Sequence, residues 1–472
     1  MKIAILQKVA FEYIGVTFIS AVIKKLGHEC EIFIADIDKV HLLENVRKYS
    51  PDIIAFSIMS PDYRWFTETI SYLQQTSQDI PVIVGGPHAT FFPEFIENYH
   101  VKAVFIGEAE ITLKEFLSKY NDEDKLKTID GLWYKDNEGN IYKNQPRVLL
   151  QDLDMLPFPD WAVYYDKYEV LRTREAKFFM TSRGCPYRCA FCFNKSYQEL
   201  YQGKGKYIRH FSQKRMIQEI KETQNKYGLK SVNFSDDVFT QDSIWLINFL
   251  SLYKKKIQLP FLCLVRADKM TNDLAKALKN AGAHMIVFGI ESGNEYIRNE
   301  ILNKKIKDID IIECANILKR NQIFFGTFNM FGIPTETIDD AFKTVELNIR
   351  IGTNFPSASM LIPYPKTYIA KIAVEMGLMT ENFDFKNLPA SFFSSSPLDL
   401  PNKHMFENIQ KVFYLAVRYP WSFPVFKKLI KIKFRLFFKV LFGVGFLLKF
   451  SKQRKLSLWK SIKILWSFRK SF

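Results

Sequence analysis

The stretch Thr181-Ser182-Arg183-Gly184-Cys185-Pro186-Tyr187-Arg188-Cys189-Ala190-Phe191-Cys192 decides how this chain of 472 residues is read. Its C-x3-C-x2-C spacing brings three thiolates, Cys185, Cys189 and Cys192, to one point on a short loop. Iron-sulfur clusters normally take four cysteines, and no fourth stands within reach here. Three thiolates can hold three irons of a four-iron cluster, which leaves the fourth iron open to a substrate or cofactor. Such a cluster does chemistry instead of only relaying electrons.

Two other uses of cysteine compete. A zinc site wants a fourth protein ligand close by, usually from paired C-x2-C spacing; the nearest downstream candidate is His210, and no second C-x2-C exists. Disulfide frameworks belong to short secreted chains, whereas six cysteines in 472 residues are sparse. Cys30, Cys263 and Cys314 sit in apolar runs and are read as buried free thiols.

The length suggests two or three domains, and 47% hydrophobic residues with 15% aromatic are ample for a large core. The start, Met-Lys-Ile-Ala-Ile-Leu-Gln, runs into charged and aromatic residues too soon for a signal peptide. A cytoplasmic, reducing location is expected, as an oxygen-labile cluster would need.

Between Lys2 and Tyr120, short apolar runs alternate with helical stretches. Lys2 to Leu6, Glu31 to Ile34, Asp52 to Ser57, Pro81 to Val84 and Lys102 to Ile106 read as five strands of a doubly wound parallel sheet. Ligands of such sheets bind beyond the carboxyl ends of the strands. Those ends carry Ser57 to Ser60, Gly85-Gly86-Pro87-His88 and Gly107-Glu108-Ala109-Glu110. Any one glycine pair there is explained equally by a tight turn. A hairpin follows, Leu132 to Tyr134 against Ile141-Tyr142 across Asn137-Glu138-Gly139-Asn140. Pro157-Phe158-Pro159 then stops any element. From Ala176 to about Met379 six strand-helix units can be counted, with strands near Phe178, Val232, Leu262, Ile286, Phe325 and Ser359.

The cysteine motif, with Phe191 before its last cysteine, resembles that of the radical S-adenosylmethionine (SAM) superfamily. The resemblance implies a partial (β/α)6 barrel with its chemistry at the carboxyl ends of the strands. It implies a 4Fe-4S cluster whose open iron chelates SAM and whose electron splits the sulfonium into a 5'-deoxyadenosyl radical. It also assigns later motifs. Asn233-Phe234-Ser235-Asp236-Asp237 meets the region that receives the amino group of SAM, although paired acids also suit a turn or a helix cap. Arg266, after the third strand, could meet a carboxylate or form a surface ion pair. Gly289-Ile290-Glu291-Ser292-Gly293 matches the segment approaching the ribose, with Glu291 accepting from its hydroxyls and the glycines admitting backbone. Phe331-Gly332-Ile333-Pro334-Thr335-Glu336-Thr337 resembles the loop near adenine; it also suits a helix start capped by Thr335 or Thr337. Relatives usually carry glycine where this chain has Lys366, and a lysine there demands ordinary backbone angles unless strained.

Gly15, Leu26-Gly27-His28 and the strand ends bearing Ser57, Ser60, Gly85, Gly86, His88, Gly107 and Glu108 together resemble the cobalamin-binding domain that often precedes a radical SAM domain. One departure matters. The D-x-H-x-x-G motif, whose histidine ligates cobalt, is absent, and the loop reads Lys8-Val9-Ala10-Phe11-Glu12-Tyr13-Ile14-Gly15. Cobalamin bound without a histidine below the cobalt and a domain that has lost cobalamin both fit.

The expected organisation is α/β throughout. A flavodoxin-like cobalamin-binding-type domain spans 1–125, a connector 126–170, the radical SAM barrel 171–385 and a basic, aromatic helical region 386–472. That last region holds the whole charge excess. Residues 401 to 472 carry 17 Lys and Arg against Glu407 alone, in a chain of net charge +16. Lys427, Lys431, Arg435 and Lys439 recur every four residues and would line one face of a helix among Phe434, Phe437, Phe438, Leu441 and Phe442. The longest uncharged run there, Val440 to Leu448, is nine residues, well short of the ~20 that span a bilayer. A helix lying on an anionic membrane surface is favoured; nucleic acid is the rival. The stretch from Phe406 to Tyr419 reads as a helical cap on the barrel.

The expected activity is cobalamin-dependent methyl transfer to an unactivated carbon of a lipid-like or other hydrophobic small molecule. A reductant such as flavodoxin or ferredoxin would supply the electron. The alternatives are a radical oxidative cyclisation or rearrangement and a non-catalytic iron-sulfur membrane adaptor.

Overall fold

A computed structural model describes residues 1–76, 79–389, 391–454, 457–460 and 462. Its contacts divide the chain into two compact units: residues 1–183 with 197–229, and residues 184–196 with 230–472.

The first unit is built on a seven-stranded sheet: β1 (Lys2–Gln7), β2 (Glu29–Ile34), β3 (Ile53–Ser57), β4 (Val82–Gly85), β5 (Ala103–Phe105), β6 (Leu132–Lys135) and β7 (Ile141–Lys143). The strand order is β2-β1-β3-β4-β5-β6-β7. Pairings among β1 to β5 are parallel, while β6 and β7 run antiparallel. Alternate residues of β1 feed opposite faces, Ile3 and Ile5 entering one apolar core and Ala4 and Leu6 the other. Helices on both faces explain why this strand is apolar without interruption. The order reverses between β1 and β3, the place where a doubly wound sheet opens a crevice. The hairpin is part of this sheet: β6 pairs with β5 through Ala103 opposite Tyr134. Residues 197–229 also belong with the first unit, although they fall in the stretch expected to form barrel.

After β8 (Ala176–Phe179), β9 (Ser182–Arg183) and β10 (Arg209–His210) come β11 (Ser231–Phe234), β12 (Phe261–Val265), β13 (Ala283–Glu291), β14 (Phe324–Phe331) and β15 (Phe355–Met360). Strands stand at all six expected barrel positions; β8 falls in the first unit, and those of the second unit lie in the order β15-β14-β13-β12-β11. From β11 to β15 each strand runs parallel to its sequence neighbour, as strand-helix repeats require. The helix Lys403–Arg418 covers the outer strand β15: Gln410 donates to the Ala358 carbonyl at 3.0 Å, and Phe413 meets Phe331 edge-on at 5.5 Å.

The basic region corrects one expectation. Its four evenly spaced cations do not lie on a single helix, because Phe423–Leu429 and Arg435–Arg454 are separate helices. Lys427 is tied to Glu346 at 2.8 Å and lies over the Phe342 and Phe423 rings. Phe438 and Ile430 are buried in the core, whereas Lys431, Lys433, Arg435 and Lys439 are exposed. No helix among the described residues is long and apolar enough to cross a membrane. Lys455, Lys463, Arg469 and Lys470 lie outside the described residues.

Candidate active site

The cysteine loop opens at Gly184, whose φ of 90° lies in the left-handed region that only glycine enters freely. Cys185 is buried and Cys189 and Cys192 are half-buried, all as free thiols. Burial foremost, with Asp237 and the two neighbouring thiols adding to it, pushes Cys185 up to about 12 against one opposing backbone N–H from Tyr187. Burial raises Cys189 and Cys192 in the same way. Buried thiols held this high need a cationic partner to become thiolates, which iron supplies. Asn194 offers N–H groups to the Cys192 sulfur, Nδ2 at 3.4 Å and its backbone N at 3.5 Å, and Nδ2 also donates to Asp237 at 3.1 Å. Among the described residues no three His, Cys, Asp or Glu side chains close around a single metal ion. A cubane takes each thiolate on a different iron, and three free cysteines on one loop are a donor set that suits it. His210, the remaining zinc candidate, is paired with Ser182 between β10 and β9.

Glu291 ends β13 with φ at 67°, a conformation rare for a residue with a Cβ. The pairing with β14 shifts register between Gly289 and Glu291. The Glu291 carboxylate is buried and accepts from Lys304 Nζ at 2.8 Å. Both glycines of the motif have a steric reason. A Cβ on Gly289 would collide with the Glu291 carboxylate and lie 2.7 Å from Lys304 Nζ; one on Gly293 would strike the backbone of Lys343 and Thr344. Ser292 is fully buried, and its carbonyl accepts from Arg298 at 2.8 Å.

Arg266 is buried, donating to Asp268 at 3.0 Å and to the Lys304 carbonyl at 2.9 Å. Its guanidinium lies 3.6 Å over the ring of Tyr187, inside the cysteine loop. The surface ion pair considered for it is therefore a buried clamp. Phe191 packs against the apolar core of the second unit, with Lys304 Nζ 5.8 Å above its ring. Asp236 is buried and Asp237 exposed just beyond β11; neither caps a helix, since Asp242 does so for Ser243–Lys256.

Beyond β14, Thr337 is the helix cap, forming a capping box with Asp340. Thr335 is not; it sits at φ 73°. Glu336 Oε2 accepts the backbone N–H groups of Gly332 at 2.7 Å and Ile333 at 3.1 Å, while Oε1 has no hydrogen-bond partner among the described residues. Burial pushes this carboxyl up to about 8, against those two bonds. Ile333 itself is fully buried. Lys366 takes the strained alternative, with φ at 66°.

In the first unit the strand ends meet at the expected edge, and most of their side chains are engaged by the protein itself. His88 is buried, its Nδ1 3.1 Å from Ser60 Oγ, among the rings of Tyr63, Phe92 and Phe95. Gly86 has φ at 100°, and a Cβ there would lie 2.7 Å from the Ile58 carbonyl. Gly85 is under no such constraint, its nearest neighbour being Phe105 at 3.8 Å. Ser57 is half-buried at the end of β3. Gly107 has φ at 77° and leaves room for the Tyr201 hydroxyl, which accepts the Glu108 N–H at 2.8 Å. Burial opposes the charge of Glu108, but Arg183 and Arg209 outweigh it and hold the carboxyl below its usual range. In the loop after β1, Glu12 is buried and paired with Arg174 at 2.7 Å.

Sequence reasoning missed Lys304, Arg298 and Asn194. Asn303-Lys304-Lys305 looks like an exposed charged turn, and only the fold reveals that Lys304 is 8% exposed.

Comparison with known proteins agrees with this arrangement. A B12 binding domain model matches residues 7–117, and a radical SAM superfamily model matches residues 179–347. An uncharacterized methyltransferase of Pyrococcus horikoshii is 29% identical over 375 residues, covering 78% of this chain and 79% of its own length. An anaerobic magnesium-protoporphyrin IX monomethyl ester cyclase of Cereibacter sphaeroides is 24% identical over 436 residues, covering 88% and 69%. The fold is similar to that of the radical S-adenosylmethionine methyltransferase TsrM of Kitasatospora setae, solved with cobalamin and a [4Fe-4S] cluster bound. The TM-score is 0.63 at 16% identity, over 79% of this chain and 78% of that one. This chain thus carries a B12 binding domain followed by a radical SAM domain.

Proposed function

We propose that this protein is a radical SAM enzyme that uses cobalamin to methylate an unactivated carbon of a hydrophobic, lipid-like small molecule at an anionic membrane surface. The observation that carries the reading is the convergence, in one unit, of the three-cysteine loop with the buried Glu291–Lys304 pair, in a chain that also matches a B12 binding domain. When bound, the 4Fe-4S cluster supplies reductive cleavage of SAM, and cobalamin supplies the methyl group.

The chain's own residues bind and shield. Cys185, Cys189 and Cys192 hold three irons, with Asn194 donating to Cys192. Asp236 and Asp237 receive the amino group of SAM, Glu291 and Ser292 the ribose, and Ile333 packs by the adenine. Gly289 keeps space for the Glu291 carboxylate, while Phe191 and Arg266 close the cysteine loop against water. Ser57, Ser60, Gly85, Gly86, His88, Gly107 and Glu108 shape the edge for cobalamin, with boundaries at 1–125 for that domain and 171–385 for the barrel. A flavodoxin- or ferredoxin-like reductant delivers the electron.

The membrane reading rests on exposed Trp421, Val425, Phe434, Leu436, Val440 and Val444 standing among exposed Lys431, Lys433 and Lys439. Each cation near an anionic leaflet contributes about 1 kcal/mol, so the three add about 3 kcal/mol to what burial of these apolar side chains contributes to attachment at the inner face. Replacing Lys431, Lys433 and Lys439 by Glu leaves the buried Phe438 and Ile430 in place, and should abolish sedimentation with phosphatidylserine vesicles. Unchanged sedimentation would refute the surface reading.

For the reaction, cobalamin-loaded, reduced protein should transfer label from methyl-labelled SAM into a lipid extract of its own cells. The similarity to a cyclase supports ring closure as the second reading. It would appear as a substrate that loses hydrogen and gains no label. A non-catalytic iron-sulfur adaptor would consume no SAM at all.

A further inference from the structure

The segment from Leu302 to Lys305 belongs to no strand or helix, yet it is bound on two sides. Toward the cysteine loop, the Leu302 carbonyl accepts the Ala190 N–H at 2.8 Å, and Asn303 Nδ2 donates to the Arg188 carbonyl at 2.8 Å. Both contacts fall between Cys185 and Cys192. Toward β13, Lys304 Nζ donates to Glu291 Oε1 at 2.8 Å.

The segment is also fixed along its own backbone. The Lys304 N–H donates to the Arg298 carbonyl at 3.0 Å, and the Lys304 carbonyl accepts from Arg266, which stacks on Tyr187 of the cysteine loop. Arg298 is fully buried and ties the Ser292 and Ile306 carbonyls together at 2.8 Å each. Asn303 and Lys305 both have positive φ, 49° and 54°, a conformation that persists only where surroundings over-determine it. Lysine is almost never buried without a partner, and here the partner is the carboxylate assigned to the ribose.

We propose that Leu302–Lys305 is a buckle that sets the position of the Glu291 carboxylate relative to the cysteine loop, with Lys304 as its positioning residue. Lys304 does not touch SAM. Its ammonium aims the carboxylate, while the backbone on either side is tied to the loop that carries the cluster. The cluster end and the ribose end of SAM are thereby held at one spacing. This inference rests on the radical SAM reading, and its test presupposes wild-type protein whose reduced-cluster EPR spectrum changes when SAM is added; absence of that change in the wild type would count against the reading itself.

The test compares Lys304→Met, Lys304→Arg and Asn303→Gly by iron content, SAM affinity and that EPR change. Lys304→Met should keep its iron, bind SAM at least tenfold more weakly and lose most of the spectral change. Lys304→Arg should recover most of both. Asn303→Gly accepts the left-handed backbone and removes only the bond to Arg188; it should weaken SAM binding about threefold, and it stands as the test if Lys304→Met does not fold. Wild-type affinity and spectrum in Lys304→Met would overturn the proposal. So would an equal loss in Lys304→Arg, because the charge would then not be what matters. Loss of iron in Lys304→Met would overturn it as well, since the lysine would then serve the loop and not the alignment.

Discussion

Both units end their parallel strands in glycine-rich turns, and they use the space differently. In the first unit, Gly86 and Gly107 admit the Ile58 carbonyl and the Tyr201 hydroxyl, and the polar side chains nearby are consumed internally: His88 by Ser60, Glu108 by Arg183 and Arg209. In the second unit, Gly289 admits a charged pair, Glu291 with Lys304, directly after the strand pairing shifts register. The contrast teaches that similar glycine signals have unlike chemical content. A large cofactor can be received by a shaped edge of backbone and small side chains, whereas a chelated, cleaved one needs specific charged groups placed to fractions of an ångström.

The largest expected effect is at the cysteine loop. Replacing Cys185, Cys189 or Cys192 by Ala should reduce iron to background after reconstitution and abolish SAM cleavage, while thermal unfolding of the apoprotein barely changes. The glycines then separate the units. Gly107→Ala places a Cβ against Tyr201 at φ 77° and should cost about 2–3 kcal/mol of stability by denaturant unfolding, with Gly107→Ala/Tyr201→Ala recovering the part due to collision. Gly289→Ala lies at ordinary backbone angles. Its collision is with the movable ends of a buried ion pair, so it should lower the unfolding midpoint less than Gly107→Ala does and weaken SAM binding about tenfold, or about 1.4 kcal/mol. A large loss of stability in Gly289→Ala with normal SAM binding would erase the distinction.

A smaller effect concerns Glu336. Its folded pKa, about 8, lies above the ordinary 4.5, so the folded state holds a proton that the unfolded state has released. Stability from this group is complete below about 4.5 and falls as pH rises to about 8. Glu336→Gln should flatten that slope in unfolding midpoints measured across this window. Smallest is Lys366→Gly. Relief of the left-handed lysine, at about 1–2 kcal/mol, is partly offset by the extra freedom glycine gives the unfolded chain, about 0.5–1 kcal/mol, so a midpoint raised by a degree or two is expected.

Much of this architecture was legible in the sequence because strands buried on both faces write themselves as apolar runs. Ile3 to Leu6 and Val82 to Val84 need no context. The cysteine spacing and the Gly-Ile-Glu-Ser-Gly motif were legible too, since geometry restricts both to few residues. What stayed hidden depends on burial of residues that normally face water. Lys304, Arg298 and Arg266 look like solvated charges, and nothing local tells that each is enclosed. The tail misled for the opposite reason: a four-residue period runs through Lys427 to Lys439, but the helix stops after Leu429 and resumes at Arg435, so Lys427 is drawn to Glu346 while the others face out. The hairpin appeared to be a connector because pairing of Ala103 with Tyr134 is a long-range fact.

The central claim is that the three-cysteine loop holds a cluster open to SAM and that the second unit turns SAM over. Its most direct test is the 5'-deoxyadenosine formed per chain when anaerobically reconstituted, reduced protein is given SAM, beside a Cys192→Ala control. SAM-dependent 5'-deoxyadenosine from the wild type and none from the control is the expected result. A fully iron-loaded, reduced wild type that leaves SAM intact would contradict the account.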